Sequence, residues 1–238
     1  MALFRENPVV VITGGAGGIG STIARSLQEL GATVVVCDFG QPDPYGFDVR
    51  DRLGWEKMMD QVISDHGRVD VLINNAGVMT QGDDTVVGLD DDEWHRVFDI
   101  NVTAVRIGMS VAIARFGEEG GRIINTASVS GVRHFPGACI YSVSKTAVIA
   151  LTNQAALDYS HRGIKINAIA PGMMENVMHH GKGSDLRDKV IASSLTGDAV
   201  KDDEVALTVE YLLDARNSNV VGATMPVDAG FAYAKGNA

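Results

Sequence analysis

Residues 9–20 read VVVITGGAGGIG, an apolar run that passes directly into a turn of closely spaced glycines. The run from Val9 to Thr13 predicts a buried strand, and a helical pattern follows from Ile19. Glycines permit positive φ angles and let backbone N–H groups approach a phosphate, while the first turn of a helix carries the positive end of its dipole. A plain tight turn uses the same residues, but the position between a strand and a helix favours nucleotide binding.

The rest of the chain alternates short β-branched runs with longer helical patterns, which predicts a parallel sheet with helices on both faces. Strands are predicted at residues 9–13, 33–37, 69–74, 122–126, 164–170 and 224–227. Helices are predicted at residues 19–30, 51–66, 90–116, 140–160 and 202–213, the third being two consecutive helices or one helix with a bend. Since no Pro- or Ser-rich linker divides the 238 residues, we expect one α/β domain over residues 1–238.

Composition and charge exclude several classes of protein. The net charge of −10 and the lack of a basic cluster argue against nucleic-acid binding. The first residues form too short an apolar run for a signal peptide, and no stretch approaches the roughly 18 apolar residues of a membrane span. Cys37 and Cys139 have no metal-binding or redox spacing, so we expect small buried residues rather than ligands or disulfide partners. These features predict a soluble, cytoplasmic protein without a nucleic-acid or membrane partner.

Tyr141 and Lys145 lie four residues apart in a predicted helix and therefore share one of its faces. The ammonium of Lys145 would favour the phenolate of Tyr141 and lower its pKa from roughly 10 toward the working pH. On most helices such a pair is a solvated surface. Here Ser128 ends a predicted strand thirteen residues before Tyr141, and this combination favours a proton-transfer site.

Several motifs occur in a fixed order from residue 8 to about residue 230. They are Thr13-Gly14-x-x-x-Gly18-x-Gly20, Asn74-Asn75-Ala76-Gly77, Asn101, Ser128, Tyr141-x-x-x-Lys145 and Pro171-Gly172. Each is weak alone, but their order and spacing resemble the short-chain dehydrogenase/reductase family. The resemblance implies a single-domain Rossmann-type, doubly wound sheet of about seven parallel strands. It also implies a nicotinamide cofactor, oxidation of a secondary alcohol or reduction of its ketone, and pairing of long helices into homodimers or homotetramers.

The resemblance implies a role for each residue of a catalytic set. Tyr141 would be the general base that takes the hydroxyl proton in oxidation, and the acid in the reverse direction. Lys145 would lower the pKa of that phenol and hydrogen-bond the nicotinamide ribose, and Ser128 would hold the substrate oxygen. Asn101 would hold a water near the lysine. Plainer interpretations are a strand-end hydroxyl that caps a turn for Ser128 and a helix-kink amide that bonds the backbone for Asn101.

Asp38 ends the second predicted strand, eighteen residues past Gly20. A carboxylate there accepts hydrogen bonds from the ribose hydroxyls of NAD and repels the 2′-phosphate of NADP, so NAD (NADH) is expected and NADP is disfavoured. A solvated loop aspartate is the alternative. The resemblance implies a wider set of cofactor contacts, comprising Gly14, Gly18, Ile19, Gly20, Asp38, Phe39, Asp48, Val49, Asn75, Ala76, Gly77, Tyr141, Lys145, Pro171, Gly172 and Met174. For Asp48, contact with adenine and capping of the next helix both stay open.

Two departures from the family pattern bear on the cofactor site. Only nine residues separate Asp38 from Asp48, where many members have a helix, and a segment containing Pro42 and Pro44 cannot form one. We expect this deletion to leave the adenine side of the cofactor more exposed. Asn176 stands where the family often has a threonine that bonds the cofactor, which leaves that contact open.

The substrate pocket is predicted less sharply than the catalytic set. Its walls are expected to include Met79, Ser130, His134 and Asn176. A substrate lid is expected around residues 173–195, where glycines provide hinges and a mixed polarity suggests a small or medium polar substrate. His179 and His180 are adjacent, point in different directions on a helix and have no third ligand spaced with them, so no metal site is expected.

Two other functions remain open on the sequence. The first is an NADPH-dependent biosynthetic ketoreductase, with Asp38 rotated away from the ribose. The second is a dinucleotide-binding redox sensor or scaffold without turnover. Such a protein would be expected to lose the tyrosine, lysine or serine of the catalytic set, and this chain retains all three.

Overall fold

A sheet of six parallel strands lies at the centre of the computed structural model, which describes residues 2–175 and 184–234. The strands are β1 (Val9–Thr13), β2 (Thr33–Cys37), β3 (Val71–Asn74), β4 (Gly121–Thr126), β5 (Ile164–Pro171) and β6 (Thr224–Val227). Their order across the sheet is β2-β1-β3-β4-β5-β6. All six strands predicted from β-branched runs are confirmed, with small shifts at their ends.

Helices cover both faces of this sheet. Those in the described residues are α1 (Gly18–Glu29), α2 (Arg52–His66), α3 (Asp91–Phe98), α4 (Ala104–Ile113), α5 (Cys139–Tyr159), α6 (Ser184–Ser193) and α7 (Asp202–Leu213). The long pattern predicted at residues 90–116 proves to be α3 and α4 joined by a π-helical turn, Asp99–Thr103. The sequence predicts no helix for α6, because its few apolar residues form no clear stripe.

Alternate residues of each strand point to opposite faces, so the sheet has two apolar cores. In β1, Val9 and Val11 pack in the core that holds residues of α2, α4 and α5, whereas Val10 and Ile12 pack with residues of α1 and α7. All four side chains are at most 4% exposed. Burial on both sides explains why β1 reads as a continuous apolar run, and it confirms a doubly wound sheet.

The expectation of about seven strands is wrong, because the described residues contain six and β2 forms one edge of the sheet. A seventh strand beyond β2 would have to be formed by the segment that follows β2, where only nine residues separate Asp38 from Asp48. A parallel return strand needs a crossover of about a dozen residues or more. The shortening that excludes a helix therefore excludes the seventh strand as well.

The shortened segment instead folds into tight turns against the end of β2. The N–H of Asp38 donates to the carbonyl oxygen of Tyr45 at 3.2 Å. The Tyr45 hydroxyl donates to Asp65 on α2 at 3.1 Å, which ties the turn to the neighbouring helix. A Cβ at Gly46 would lie 1.6 Å from the carbonyl oxygen of Gln41, so the turn has no room for a side chain at that position.

The winding of the sheet reverses at β1, whose neighbours are β2 and β3. Loops that leave the carboxyl ends of β1 and β3 turn to opposite faces, and a crevice opens between them. Gly14 begins the loop after β1 and Asn75 begins the loop after β3, so the glycine-rich turn lies at this crevice. The loop after β4 carries Ser128 and leads to α5, which brings Tyr141 to the same edge of the sheet.

Both cysteines are unbonded thiols, Cys37 buried and Cys139 partly buried. Burial raises the pKa of the Cys37 thiol to about 12, so it stays protonated and unreactive. Within residues 2–175 and 184–234, no three His, Cys, Asp or Glu side chains are grouped to hold a metal ion. Over the same ranges, no helix combines the length and apolar character needed to cross a bilayer.

Candidate active site

The glycine-rich turn shapes one end of the crevice. Gly14 and Gly18 have positive φ angles of 63° and 52°, and a Cβ at Gly20 would lie 2.2 Å from the carbonyl oxygen of Gly14. No described atom lies within 4 Å of a Cβ built on Gly17 or Gly18, so the backbone there faces open space. No side chain of the described residues caps α1, so its first N–H groups have no partner from the helix or from a cap. The diphosphate of a dinucleotide fits here, because these N–H groups and the helix dipole favour an anion.

Asn75 ties the loop after β3 to this turn. Its Nδ2 donates to the carbonyl oxygens of Thr13 at 3.2 Å and Gly14 at 3.0 Å. The Thr13 hydroxyl accepts from the N–H groups of Asn75 and Ala76, both at 3.2 Å. A Cβ at Gly14 would lie 2.9 Å from the Cα of Ala76, so the two loops touch without space for a side chain. The structure therefore brings these predicted cofactor contacts together.

Asp38 directly follows β2 and lies beside the glycine-rich turn, and both it and Phe39 are outside the described lining of the cavity. Its Oδ2 accepts a hydrogen bond of 3.0 Å from the N–H of Ala16 in the glycine-rich turn. Phe39 follows with 82% of its surface exposed, as expected if the shortened segment leaves the adenine side open. The carboxylate is thus held beside the turn that would bind the diphosphate.

Asp48 and Val49 lie farther along the shortened segment, outside the described lining of the cavity. The Arg50 guanidinium hydrogen-bonds the Asp48 carboxylate at 2.6 to 3.0 Å and thereby lowers its pKa. The N-cap of α2 is Asp51, whose side chain accepts from the N–H of Leu53. The alternative interpretation of Asp48 as the cap of this helix is therefore wrong. The predicted adenine contact of Asp48 and Val49 stays a prediction.

Ser128 and Tyr141 meet at the wall of the cavity. The Ser128 hydroxyl oxygen accepts from the N–H of Ser130 at 3.1 Å, which leaves its hydrogen available as a donor. Burial raises the pKa of the Tyr141 phenol above its ordinary value, and a hydrogen bond with Ser128 opposes this by lowering it. The structure therefore brings the two predicted catalytic side chains into contact.

Lys145 lies one turn after Tyr141 on α5, but its ammonium is directed to the sheet. Nζ donates to the carbonyl oxygen of Thr126 at 2.9 Å and lies 5.9 Å from the centre of the Tyr141 ring. Burial lowers the pKa of Lys145 from 10.5 to about 8. The sequence predicts that this lysine lowers the phenol pKa, whereas in the structure the lowering comes from Ser128.

Asn101 is buried in the π-helical turn between α3 and α4. Its Oδ1 accepts from the N–H of Val78 at 2.8 Å, and its Nδ2 donates to the Val78 carbonyl oxygen at 3.0 Å and to Ser144 Oγ at 3.1 Å. A Cβ at Gly77 would lie 3.2 Å from Asn101 Oδ1 and 3.3 Å from Lys145 Nζ, so both groups reach the space beside that glycine. The amide bonds the backbone as the plainer interpretation expects, and its role in holding a water stays a prediction.

A cavity of about 600 Å³ extends from the glycine-rich turn to Tyr141. Its described lining includes Ser128, Tyr141 and Lys145 from the catalytic set. The predicted cofactor contacts that line it are Gly14, Gly18, Ile19, Gly20, Asn75, Ala76, Gly77, Pro171, Gly172 and Met174. One cavity therefore contains both the glycine-rich turn, where a dinucleotide would bind, and the predicted proton-transfer residues.

The predicted substrate contacts are only partly brought together. Met79 and Ser130 line the cavity. His134 is exposed and outside the described lining, with its Nδ1 bonded to the carbonyl oxygen of Ser130 at 2.9 Å. Asn176 lies outside the described residues. The described part of the expected lid contributes Met173, Met174, Arg187 and Val190.

Asp84 holds the start of the catalytic helix, and the sequence pattern does not reveal it. It is 6% exposed and lies in the loop between β3 and α3. Its carbonyl oxygen accepts from the N–H of Cys139 at 2.9 Å, and its carboxylate accepts from those of Ile140 at 2.7 Å and Tyr141 at 3.4 Å. Ala138, at the N-cap, has no side-chain acceptor, so Asp84 satisfies the first three N–H groups of α5. No local spacing signals a contact across 56 residues.

Comparison with known proteins identifies similar chains over nearly the whole length. The family described as Enoyl-(Acyl carrier protein) reductase matches residues 14–232. Meso-2,3-butanediol dehydrogenase of Serratia marcescens is 35% identical over 239 residues, which cover 94% of each chain. A solved short-chain dehydrogenase/reductase from Serratia marcescens BCRC 10948 is 29% identical, with a TM-score of 0.87 over 95% of this chain and 98% of that chain. A structure of ElxO with NADP bound is 25% identical, with a TM-score of 0.85 over 94% and 98%.

Asp84→Ala should lower the free energy of unfolding by about 2 kcal/mol, because it leaves N–H groups at the start of α5 without their acceptor. Asp84→Asn keeps one carbonyl oxygen for Ile140 and should lose less than half of that. Urea unfolding followed by circular dichroism measures both values. Asp83→Ala, at the exposed neighbour whose carboxylate accepts from the N–H of Thr85, is the matched control and should cost about 0.5 kcal/mol. Equal costs for the two alanine variants would contradict the assigned role of Asp84.

Proposed function

The chain belongs to the short-chain dehydrogenase/reductase family and is an oxidoreductase of alcohols and ketones, and from this premise we propose that it transfers a hydride between NAD(H) and a secondary alcohol or its ketone. The observation that carries the proposal is that Ser128, Tyr141 and Lys145 line the same cavity as the glycine-rich turn. A relative that acts on 2,3-butanediol, which has two secondary hydroxyl groups, supports a secondary alcohol as substrate.

Tyr141 and Ser128 divide the work at the substrate oxygen. In oxidation, the Tyr141 phenolate accepts the hydroxyl proton, and the Ser128 hydroxyl donates a hydrogen bond to the oxygen on which negative charge develops. In reduction, Tyr141 returns the proton to the carbonyl oxygen. Bound nicotinamide supplies the hydride acceptor in one direction and the hydride donor in the other. Because burial keeps the phenol pKa above its ordinary value, the neutral phenol predominates near neutral pH and is ready to act as an acid.

Lys145 and Asn101 support this proton transfer from the inner side of the cavity. The ammonium of Lys145 lies 5.9 Å from the centre of the phenol ring and is held by the carbonyl oxygen of Thr126. It reaches the space beside Gly77, where it would hydrogen-bond the nicotinamide ribose. Asn101 reaches the same space and would hold the water that carries the proton onward.

NAD is the proposed cofactor because the Asp38 carboxylate is held beside the glycine-rich turn, from where it would hydrogen-bond the adenosine ribose. Asp38 accepts from the N–H of Ala16, and its neighbours Phe39 and Gly40 carry no positive charge for a 2′-phosphate. The alternative is an NADPH-dependent biosynthetic ketoreductase, which the NADP bound to ElxO favours. That function requires the Asp38 carboxylate to turn away from the ribose site.

We also propose that the chain acts in the cytoplasm as a homodimer or homotetramer. A groove of about 600 Å³ lies between α5 and the helices α3 and α4, and its lining is largely apolar. The lining residues are Phe98, Val102, Thr103, Arg106, Ala147, Ala150, Leu151 and Gln154. Small side chains at helical spacing on α5 allow a second helix to approach closely, which supports pairing through this face.

Tyr141→Phe should lower kcat by about 10²- to 10⁴-fold, because phenylalanine keeps the ring and removes the proton-transfer group. NADH should still bind with its affinity changed less than about threefold, since the cavity keeps its shape. The measurements are nicotinamide absorbance with a panel of secondary alcohols and ketones, and NADH fluorescence titration. Tyr159→Phe, at the far end of the same helix, is the control and should keep full activity. Substantial turnover by Tyr141→Phe would exclude the proposed role of the phenol.

Asp38→Ala should relax the choice of cofactor. The unmutated protein is expected to prefer NADH over NADPH by about 100-fold in kcat/KM, and the variant by less than about 10-fold, because the charge that repels the 2′-phosphate is gone. Asp38→Asn removes the charge but keeps an acceptor for the N–H of Ala16, so it separates repulsion from loss of structure. Comparable efficiencies with NADH and NADPH in the unmutated protein would favour the ketoreductase alternative instead.

The rate of ketone reduction should fall at alkaline pH. Burial lowers the pKa of Lys145 to about 8, so the ammonium loses its charge as the pH rises through that value. The rate then falls because the charged group that would hydrogen-bond the nicotinamide ribose is lost. The value of kcat/KM for NADH reports ionisations of the free enzyme, and it should be level below neutrality and decline above about pH 8. Lys145→Arg, which keeps its charge, should lose this decline. A level profile through pH 9 in the unmutated protein would contradict the assignment.

A further inference from the structure

The charged side chains in the described lining of the cavity are positive, although the chain as a whole has a net charge of −10. Among its described lining residues, the charged side chains are Lys145 and Arg187, and none is a carboxylate. Lys145 is bonded to the carbonyl oxygen of Thr126 and serves the proton-transfer site. Arg187 has no part in the mechanism proposed above.

Arg187 stands on the side of the cavity where the substrate would lie. It is on α6, one turn before Val190, so the two side chains share a face of that helix. Val190 packs in a small apolar cluster with Val129 and Phe231, and Val129 directly follows Ser128. The helix face that carries Arg187 therefore belongs to the wall beside the catalytic serine. The glycine-rich turn, with its own N–H donors, lies at the carboxyl end of β1.

The guanidinium of Arg187 is incompletely satisfied. Its Nη2 donates to the carbonyl oxygen of Glu175 at 2.9 Å, and its Nη1 lies 3.6 Å from the exposed carboxylate of Asp188. Its Nε is buried and has no hydrogen-bond partner among the described atoms. A guanidinium presents five N–H donors in a planar fork that matches a carboxylate, and a buried donor without an acceptor is unfavourable. The group is thus held in place from one side, while its side chain lines the cavity and keeps 27% of its surface exposed, so an oxyanion can approach the guanidinium from the other side.

We propose that Arg187 is the anion-binding residue of the substrate side and that the alcohol or ketone substrate carries a carboxylate. This inference rests on the proposed function, and it narrows the substrate to hydroxy acids and their oxo acids. The carboxylate pairs with the guanidinium while the hydroxyl or carbonyl oxygen lies at Ser128 and Tyr141. The diphosphate of the dinucleotide offers the same oxyanion chemistry, so the experiment separates the two sources.

The test compares two secondary alcohols that differ in one group: 3-hydroxybutyrate has a carboxylate where 2-butanol has a methyl. Arg187→Met should lower kcat/KM with NAD by about 10- to 100-fold for 3-hydroxybutyrate and by less than about threefold for 2-butanol. Arg187→Lys keeps the charge but loses the fork, so its loss should be smaller. Lys189→Met removes a cation from the exposed face of the same helix and should change neither value.

Binding measurements keep the result independent of turnover. NADH fluorescence titration should give the same dissociation constant for Arg187→Met and the unmutated protein. Butyrate, which has the carboxylate but no hydroxyl, should raise the melting temperature of the unmutated protein with NADH bound and leave that of Arg187→Met unchanged. Melting curves without ligand show whether each variant is folded.

Each outcome decides the proposal. Selective loss with 3-hydroxybutyrate and unchanged NADH binding support it. Equal loss with both alcohols together with weaker NADH binding would show that Arg187 binds the dinucleotide diphosphate, and would overturn the proposed substrate carboxylate. Unchanged kcat/KM with both alcohols would also overturn the proposed substrate carboxylate. If the unmutated protein oxidises neither alcohol, the proposed function fails for this pair. An Arg187-dependent effect of butyrate would then still support the anion site, and its absence would overturn the site as well.

Discussion

The position of Asn75 is the constraint on which the rest of the site depends. Its Nδ2 donates to two carbonyl oxygens at the end of β1, and its Oδ1 accepts from the Thr126 hydroxyl at the end of β4 at 3.4 Å. The carbonyl oxygen of Thr126 accepts in turn from Lys145 at 2.9 Å. One chain of hydrogen bonds thus joins the ends of three adjacent strands, from the glycine-rich turn to Lys145. Because parallel strands end at one edge of a sheet, a single asparagine sets the distance between the glycine-rich turn and the cavity wall that carries Lys145.

The missing seventh strand leaves this chain of bonds intact, because it would have stood beyond β2 and away from β3 and β4. Its consequence is local to the adenosine end. Phe39 is 82% exposed there, and the Asp48 carboxylate is occupied by Arg50. Fewer protein groups are therefore placed to enclose that half of the cofactor. In the proposed binding mode, a larger share of the free energy of cofactor binding would come from Asp38, the glycine-rich turn and the dipole of α1.

Local patterns in the sequence predict most of the fold, whereas the catalytic set is implied by the family resemblance. The six strands and every helix except α6 follow from periodicity. The roles of Ser128, Tyr141 and Lys145 come from the family resemblance and stay predictions, although the structure places all three on the wall of one cavity. The seventh strand came from the family pattern, and a count of nine residues after Asp38 would have excluded it. The contacts of Asp84 were beyond such reasoning, because they join segments 56 residues apart. The sequence also did not predict that the pKa of the Tyr141 phenol is raised. Burial of the phenol and the position of the Ser128 hydroxyl depend on packing rather than on spacing along the chain.

The phenol pKa depends on how three separate loops hold α5. Asp84 bonds the first N–H groups of the helix, Asn101 bonds Ser144 in its second turn, and Thr126 receives the ammonium of Lys145. These anchors come from the loop after β3, the π-helical turn and the end of β4. Burial and the hydrogen bond with Ser128 act on the Tyr141 phenol in opposite directions, and both change if the helix shifts along its axis. If Tyr141 transfers the proton as proposed, the π-helical turn and Asp84 would therefore affect that step without touching the substrate, because they fix the balance between these two effects.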